Sequence, residues 1–303
     1  MTKPFTESHA MKLKSLVTSV AIALVAAAGL TGCTNSEASS PASQGPAVNE
    51  NATFEAGTTM ASLKDKGTIR IGTKFDQPLF GLMGASGKPE GFDVEMGKII
   101  AGELGIPADK IEWVETVSQN REPFIQNGQV DLVIATYTIN DKRKEVIDFA
   151  GPYYTAGQSF LVPSGNPKQI TSEPSSLGEA TVCTVTGSTS EKNVREYTDK
   201  VLTVDKYSDC LEPIRTGQAD ALTTDNVILA GLVAQNAGEF EVVDGTFTEE
   251  PYGIGLAKGD EAFRTFVNDT IDAAVADGRW EAAWTQTVGS VLPVPEAPKP
   301  DRY

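Results

Sequence analysis

The segments FIQNGQVDLVIAT (residues 124–136) and PIRTGQADALTTD (residues 213–225) carry one plan twice. Each has a short helical piece, a G-Q-x-D turn and a buried strand ending in Thr or Asp. Two copies are too few for a solenoid, and they suit two lobes of similar α/β design. The flanking pattern agrees. TIRIGTKF, KIEWVET and QVDLVIATYT read as strands in the first half, and EATVCTV, KVLTVDKY and QADALTTD in the second. Helical stretches separate them: GFDVEMGKIIAGELG, REPFIQNG, STSEKNVREYT and CLEPIRTG. Such alternation predicts right-handed βαβ units and mostly parallel sheets flanked by helices. EEPYGIGLAKGD reads as a further strand. DEAFRTFVNDTIDAAVADGRWEAAW reads as one long amphipathic helix, with Phe263, Phe266, Val267, Ile271, Ala274 and Val275 on one face and Trp280 and Trp284 as core packing. The Pro-rich residues 291–303 are expected to fray.

The N-terminus is expected to be a targeting segment spanning residues 1–32. Lys12 and Lys14 precede an uncharged apolar run, Leu16 to Leu30, of secretory-signal length, and LTGC ends at Cys33. The run is short for a membrane span, and its end resembles the bacterial lipobox, which implies lipidation of Cys33 and anchoring to the outer face of the cell membrane. Residues 33–59, rich in Ser, Ala, Pro and Asn, read as a flexible tether. Cleavage would remove His9, the chain's single histidine, so histidine chemistry and histidine metal sites are excluded from the mature protein. Cys183 and Cys210 would remain, and outside the membrane two such thiols are expected to form a structural disulfide.

Net charge is −16. Nucleic acid and a polybasic hold on lipid are therefore poor partners, and any cation that faces inward needs a specific reason. In open parallel sheets, ligands sit beyond the carboxyl ends of strands. Those ends carry Lys74 after the first strand, Ser118 and Arg121 after the second, Thr136, Thr138 and then Arg143 after the third. In the second half VTGSTSE brings Gly187, Ser188 and Thr189 to a helix start, and TTDN brings Asp225. Each has a bland reading: DKRK as a solvated charge cluster, Ser188 as a helix N-cap, and Asp225 as the cap of NVILAGLVAQ.

GFDVEMGKIIAGELGI, VDLVIATYTINDKRKEVIDFAGPYY, VTGSTSEK, GQADALTTDN and YGIGLAKGD, in that order over about residues 60–290, resemble the extracytoplasmic solute-binding proteins of polar amino-acid ABC transporters. SQNR and KFDQP are similar to the glutamate/aspartate-binding subgroup, especially the glutamate-binding lipoproteins of high-GC Gram-positive bacteria. The resemblance implies a two-lobed, periplasmic-binding-protein-like (type 2) fold. Lobe one would comprise residues 60–157 and 249–290 and lobe two residues 158–248, with hinges near Tyr153–Gly157 and Glu249–Tyr252 and a tail from 291. It implies that Arg143 clamps the ligand α-carboxylate beside Thr136 and Thr138, that Ser188 and Thr189 donate from lobe two, and that Asp225 receives the α-ammonium. Ser118 and Arg121 would meet the side-chain carboxylate. Lys74 stands where Gram-negative members have another arginine, and Tyr207 near where some use a histidine. The expected ligand is glutamate, with aspartate beside it because Lys74 and Arg121 suit a second carboxylate; the two departures keep glutamine or another polar amino acid as the alternative.

The partners implied are the amino acid, a membrane permease and its cytoplasmic ATPase, with no cofactor. A ligand sensor and a cyclohexadienyl-dehydratase-like enzyme are the rival readings. The latter is disfavoured because no nucleophile–base pair, metal spacing or cleft histidine is present in the sequence.

Overall fold

The computed structural model describes residues 47–303. The expected targeting segment, Cys33 and the first part of the expected tether lie outside the described residues. Among those described, no helix is long and apolar enough to cross a membrane.

Residues 47–58, assigned to the tether by composition, instead dock on the first lobe. The Asn49 amide donates to the Gly102 carbonyl at 2.9 Å, Ala52 is buried, and Phe54 meets Phe266 edge-on at 5.5 Å. One aromatic side chain among small polar ones gives this stretch its anchor. Helix α1 (Thr59–Lys66) follows, capped by Thr58.

The first half builds β1 (Ile69–Thr73), a small antiparallel sheet of β2 (Asp76–Gln77), β3 (Gly81–Met83) and β4 (Pro89–Glu90), helix α2 (Phe92–Glu103), β5 (Ile111–Glu115), α3 (Arg121–Gln126), β6 (Leu132–Val133) and α4 (Asp141–Lys144). Two long strands come next, joined at the first crossing: β7 (Asp148–Ala156) in the first lobe and β8 (Gln158–Pro163) in the second. The second half adds β9 (Val182–Val185), α5 (Thr189–Val194), β10 (Val201–Val204), α6 (Leu211–Arg215), β11 (Ala221–Asp225), α7 (Asn226–Gln235) and β12 (Phe240–Val242). The chain then returns through β13 (Glu250–Leu256) to α8 (Glu261–Ala276) and α9 (Arg279–Thr287).

The strand orders are β5-β1-β6-β13-β7 and β10-β9-β11-β8-β12. Each sheet is mixed rather than mostly parallel. β5-β1-β6 and β10-β9-β11 are parallel, and the remaining strands join antiparallel. The repeated segments occupy matching places, α3–β6 in one sheet and α6–β11 in the other. The antiparallel additions are β8 and β12 in one lobe and the crossing strands β7 and β13 in the other, which the βαβ pattern does not announce.

The apolar run QVDLVIATYT predicts a strand to residue 138, yet β6 keeps two residues. Beyond it Thr136 adopts φ +44°, a left-handed conformation unfavourable for a β-branched side chain. The carbonyls of Ala135, Thr136 and Thr138 leave the ladder to accept hydrogen bonds from arginine side chains. The predicted single C-terminal helix is likewise broken. Gly278 takes φ +86° between α8 and α9, which lets Trp280 and Trp284 turn inward and stack at 5.9 Å. Of the predicted apolar face, Val275 is exposed.

Residues 291–303 do not fray. β7 is an edge strand, and the tail supplies partners for its outward groups. The Asp301 amide donates to the Gly151 carbonyl at 2.7 Å, and the Phe149 amide donates to the Tyr303 hydroxyl at 2.9 Å. Lys144 and Arg264 lie over the Tyr303 ring, and Trp284 Nε1 donates to the Pro293 carbonyl.

Cys183 in β9 and Cys210, just before α6, form a disulfide across 27 residues. Closing a loop of that size restricts the unfolded chain by about 3–4 kcal/mol. Replacing both cysteines with serine should lower the denaturant midpoint accordingly; an unchanged midpoint would show that the bridge adds nothing.

Candidate functional site

The carboxyl ends of β1, β6 and β11, together with the starts of α3 and α5, face one cleft between the lobes. From the first lobe come Lys74, Ser118, Arg121, Thr136, Thr138 and Arg143. From the second come Ser188, Thr189, Tyr207 and Asp225, and all ten are buried or nearly so. Arg143 is 7% exposed and Asp225 3%, so neither is a solvated surface charge.

Three cations share the first-lobe wall. Lys74 Nζ donates to Ser118 Oγ at 2.9 Å. Arg121 donates to three main-chain carbonyls, those of Ser118 (3.2 Å), Ala135 (3.2 Å) and Thr136 (3.4 Å). Arg143 donates to the Thr138 carbonyl at 2.7 Å and to Glu122 Oε1 at 2.9 Å. Among the described residues Glu122 is the only carboxylate within ion-pair distance of any of the three. Burial, then Arg121 and Arg143, push the Lys74 ammonium down to about 7. Burial, then Arg143, lowers Arg121. Lys74 and Arg121 are thus held without a carboxylate in contact, each raising the cost of its neighbours' charge.

The second lobe presents the opposite sign. Asp225 starts helix α7 but does not cap it. Its Oδ2 accepts from the Tyr252 hydroxyl at 2.7 Å, and its Oδ1 has no partner among the described residues. Burial, then the nearby Glu250 carboxylate, push Asp225 up to about 7. Thr189 reaches across the cleft, its hydroxyl 3.4 Å from that of Thr138. Ser188 keeps the capping role: its hydroxyl donates to the Val185 carbonyl and accepts from the Glu191 amide. The side chain expected to donate to ligand is therefore spent within its own lobe, and Thr189 is the member of the pair facing the first lobe. The Tyr207 hydroxyl lies 3.4 Å from Ser190 Oγ.

Rim contacts join the lobes. The Tyr207 amide donates to Asp76 at 3.0 Å, Gln119 donates to Asp205, and Lys206 pairs with Glu115 at 2.5 Å. A Cβ on Gly187 would stand 3.1 Å from Gln119, so only glycine allows this approach without displacement. A cavity of about 490 Å³ opens at the mouth, lined by Arg143, Lys142 and Glu122 on one side and Thr189, Lys192 and Arg195 on the other.

Sequence reasoning missed the residues that hold this wall in place. Asp93, fully buried in α2, accepts from the Thr136 amide at 2.7 Å and from the Tyr153 hydroxyl at 2.6 Å. Gln77 accepts from the Thr136 hydroxyl at 2.9 Å, and its Nε2 has no partner among the described residues. Together they fix Thr136 in its left-handed conformation. The signal available was Asp93 itself, an acid inside an otherwise apolar helix face.

Residues 69–289 match the bacterial extracellular solute-binding proteins, family 3. The chain belongs to that family. A glutamine-binding protein of an ABC transporter from Bacillus subtilis, GlnH, is 35% identical over 278 residues, covering 90% of this chain and 95% of its own. The glutamate-binding protein GluB of Corynebacterium efficiens is also 35% identical, covering 93% of each chain. Among solved structures, an ancestral arginine-binding protein bound to glutamine superposes with a TM-score of 0.69 at 34% identity, covering 74% of this chain and 98% of that one. This solute-binding protein thus shares the two-lobed type 2 fold.

A carboxyl whose folded pKa stands near 7 rather than 3.8 binds its proton more tightly folded than unfolded. Stability then falls as pH rises from about 4 through about 7. The ligand-free protein should melt higher at about pH 5 than at about pH 7.5, and Asp225→Asn should gain less over that interval. Equal gains in scanning calorimetry would place the Asp225 carboxyl in the ordinary range.

Proposed function

We propose that this protein is the amino-acid-binding component of an ABC transporter, that L-glutamate is its preferred ligand, and that L-aspartate is accepted more weakly. The observation that supports this reading is the charge arrangement of the cleft, three buried cations on one lobe and a half-satisfied carboxylate on the other. An α-amino acid needs one anion-binding and one cation-binding position. Arg143 offers a guanidinium edge for the α-carboxylate, and Asp225 Oδ1 accepts from the α-ammonium. Lys74 and Arg121 remain for a second carboxylate.

Ligand bridging Arg143 and Asp225 favours the closed form, and the crossings near Tyr153–Gly157 and Glu249–Tyr252 absorb the rotation. The crossings run side by side. Ala156 pairs with Glu250, the Gln158 amide donates to Thr248, and a Cβ on Gly157 would collide with Thr246 at 2.6 Å. The closed lobes then dock on the permease, and the lipid-bearing Cys33 keeps the protein at the membrane.

Relatives named for glutamine and for glutamate are equally similar in identity, so the cations carry the choice between them. Glutamine would leave Lys74 and Arg121 facing a neutral amide, and an uncompensated buried charge costs roughly 3–5 kcal/mol. Calorimetric titration should therefore show glutamate binding at least a hundred-fold more tightly than glutamine, about 2.7 kcal/mol; equal affinities would refute acid preference. Arg121→Ala should weaken glutamate by about 10–100-fold while the fold persists, one charge-assisted contact being worth roughly 1.5–3 kcal/mol. An unchanged affinity would remove Arg121 from the site.

A further inference from the structure

Tyr137 lies in the irregular stretch that replaces the end of β6, and its side chain is fully buried. The Arg121 guanidinium carbon stands 4.3 Å from the centre of its ring and that of Arg143 stands 4.9 Å away. One aromatic ring therefore contacts both arginines of the cleft wall. Phe149 meets it edge-on at 4.9 Å, and Gly255 of β13 leaves room for its rim, since a Cβ there would come within 2.9 Å. The ring is thus clamped by both crossing strands. Its hydroxyl makes no hydrogen bond of ordinary geometry among the described residues, although the Glu122 carboxylate lies near it. The defined contacts with the two arginines are made by the ring face.

We propose that Tyr137 is a positioning residue that sets ligand specificity: its ring holds the Arg121 and Arg143 guanidiniums against one rigid surface, and so fixes the spacing at which they meet two carboxylates of one small ligand. Two like charges in a dry wall repel and would swing apart toward water. The negative face of an aromatic ring attracts each, and most strongly where both partners are desolvated. Glu122 steadies Arg143 at its Nε edge, and main-chain carbonyls hold Arg121. The Tyr137 ring faces both. A ligand with a single carboxylate uses only Arg143 and depends little on the spacing, whereas a dicarboxylate depends on it fully.

The inference rests on the reading of the cleft as an amino-acid site, and two measurements separate its failure from the failure of that reading. In calorimetric titrations with L-glutamate and L-glutamine, Tyr137→Phe should stay within about twofold of wild type for both, because the ring face remains. Tyr137→Leu should weaken glutamate by about tenfold or more, and glutamine by clearly less. Equal losses for the two ligands, or a Phe variant as impaired as the Leu variant, would overturn the proposal. The second measurement needs no ligand. In the ligand-free protein, Tyr137→Leu should lower the melting temperature more than Tyr137→Phe does, and the gap between the two should shrink when Arg121 is replaced by Met. A gap of the same size in both backgrounds would show that the ring packs without holding the arginine. If wild type binds neither amino acid, the proposed function fails while this cycle still decides the role of Tyr137.

Discussion

Placing Lys74, Arg121 and Arg143 in one water-poor wall is the constraint around which the first lobe is arranged. A buried ion without a counter-charge costs several kcal/mol, and adjacent like charges add to it. The protein disperses the cost locally. Main-chain carbonyls of residues 118, 135, 136 and 138 accept from the two guanidiniums, Glu122 takes one edge of Arg143, and the Tyr137 ring faces both. The carbonyls of residues 135, 136 and 138 are free to do so because β6 stops after two residues. The strand is shortened, and Thr136 strained, in favour of the site.

The second lobe carries the opposite charge, Asp225. Asp225 is tethered to the first lobe's returning strand by the Tyr252 hydroxyl, and Glu250 beside it accepts from Asn193 of α5. The returning strand β13 therefore contributes directly to the hydrogen bonding of the second lobe's acidic side. A guest carrying two anionic groups and one cationic group would satisfy both walls at once, which ties ligand choice to the closed form.

Much of this was readable in the residue pattern. The repeat of FIQNGQVDLVIAT in PIRTGQADALTTD corresponds to matching places in the two sheets, and the buried positions of Arg121, Arg143 and Asp225 follow from strand ends that point to one cleft. The unreadable parts have a common cause. The end of β6 is decided by arginines distant in sequence, the antiparallel additions by crossings between lobes, and the docking of residues 47–58 and 291–303 by a few contacts with surfaces formed elsewhere in the chain. Ser188 shows the limit from the other side. Its cap pattern was plain, and the cap uses the hydroxyl that the resemblance assigned to the ligand.

The most direct test follows the Lys74 ammonium by NMR of carbon-labelled lysine side chains, with Lys74→Arg to assign the signal. In the ligand-free protein it should titrate near pH 7, and saturating glutamate should move its titration upward by more than about one unit, since an adjacent carboxylate favours the charged form. A Lys74 signal with the midpoint of an exposed lysine, or one that glutamate leaves in place, would contradict a cleft built from confined positive charge.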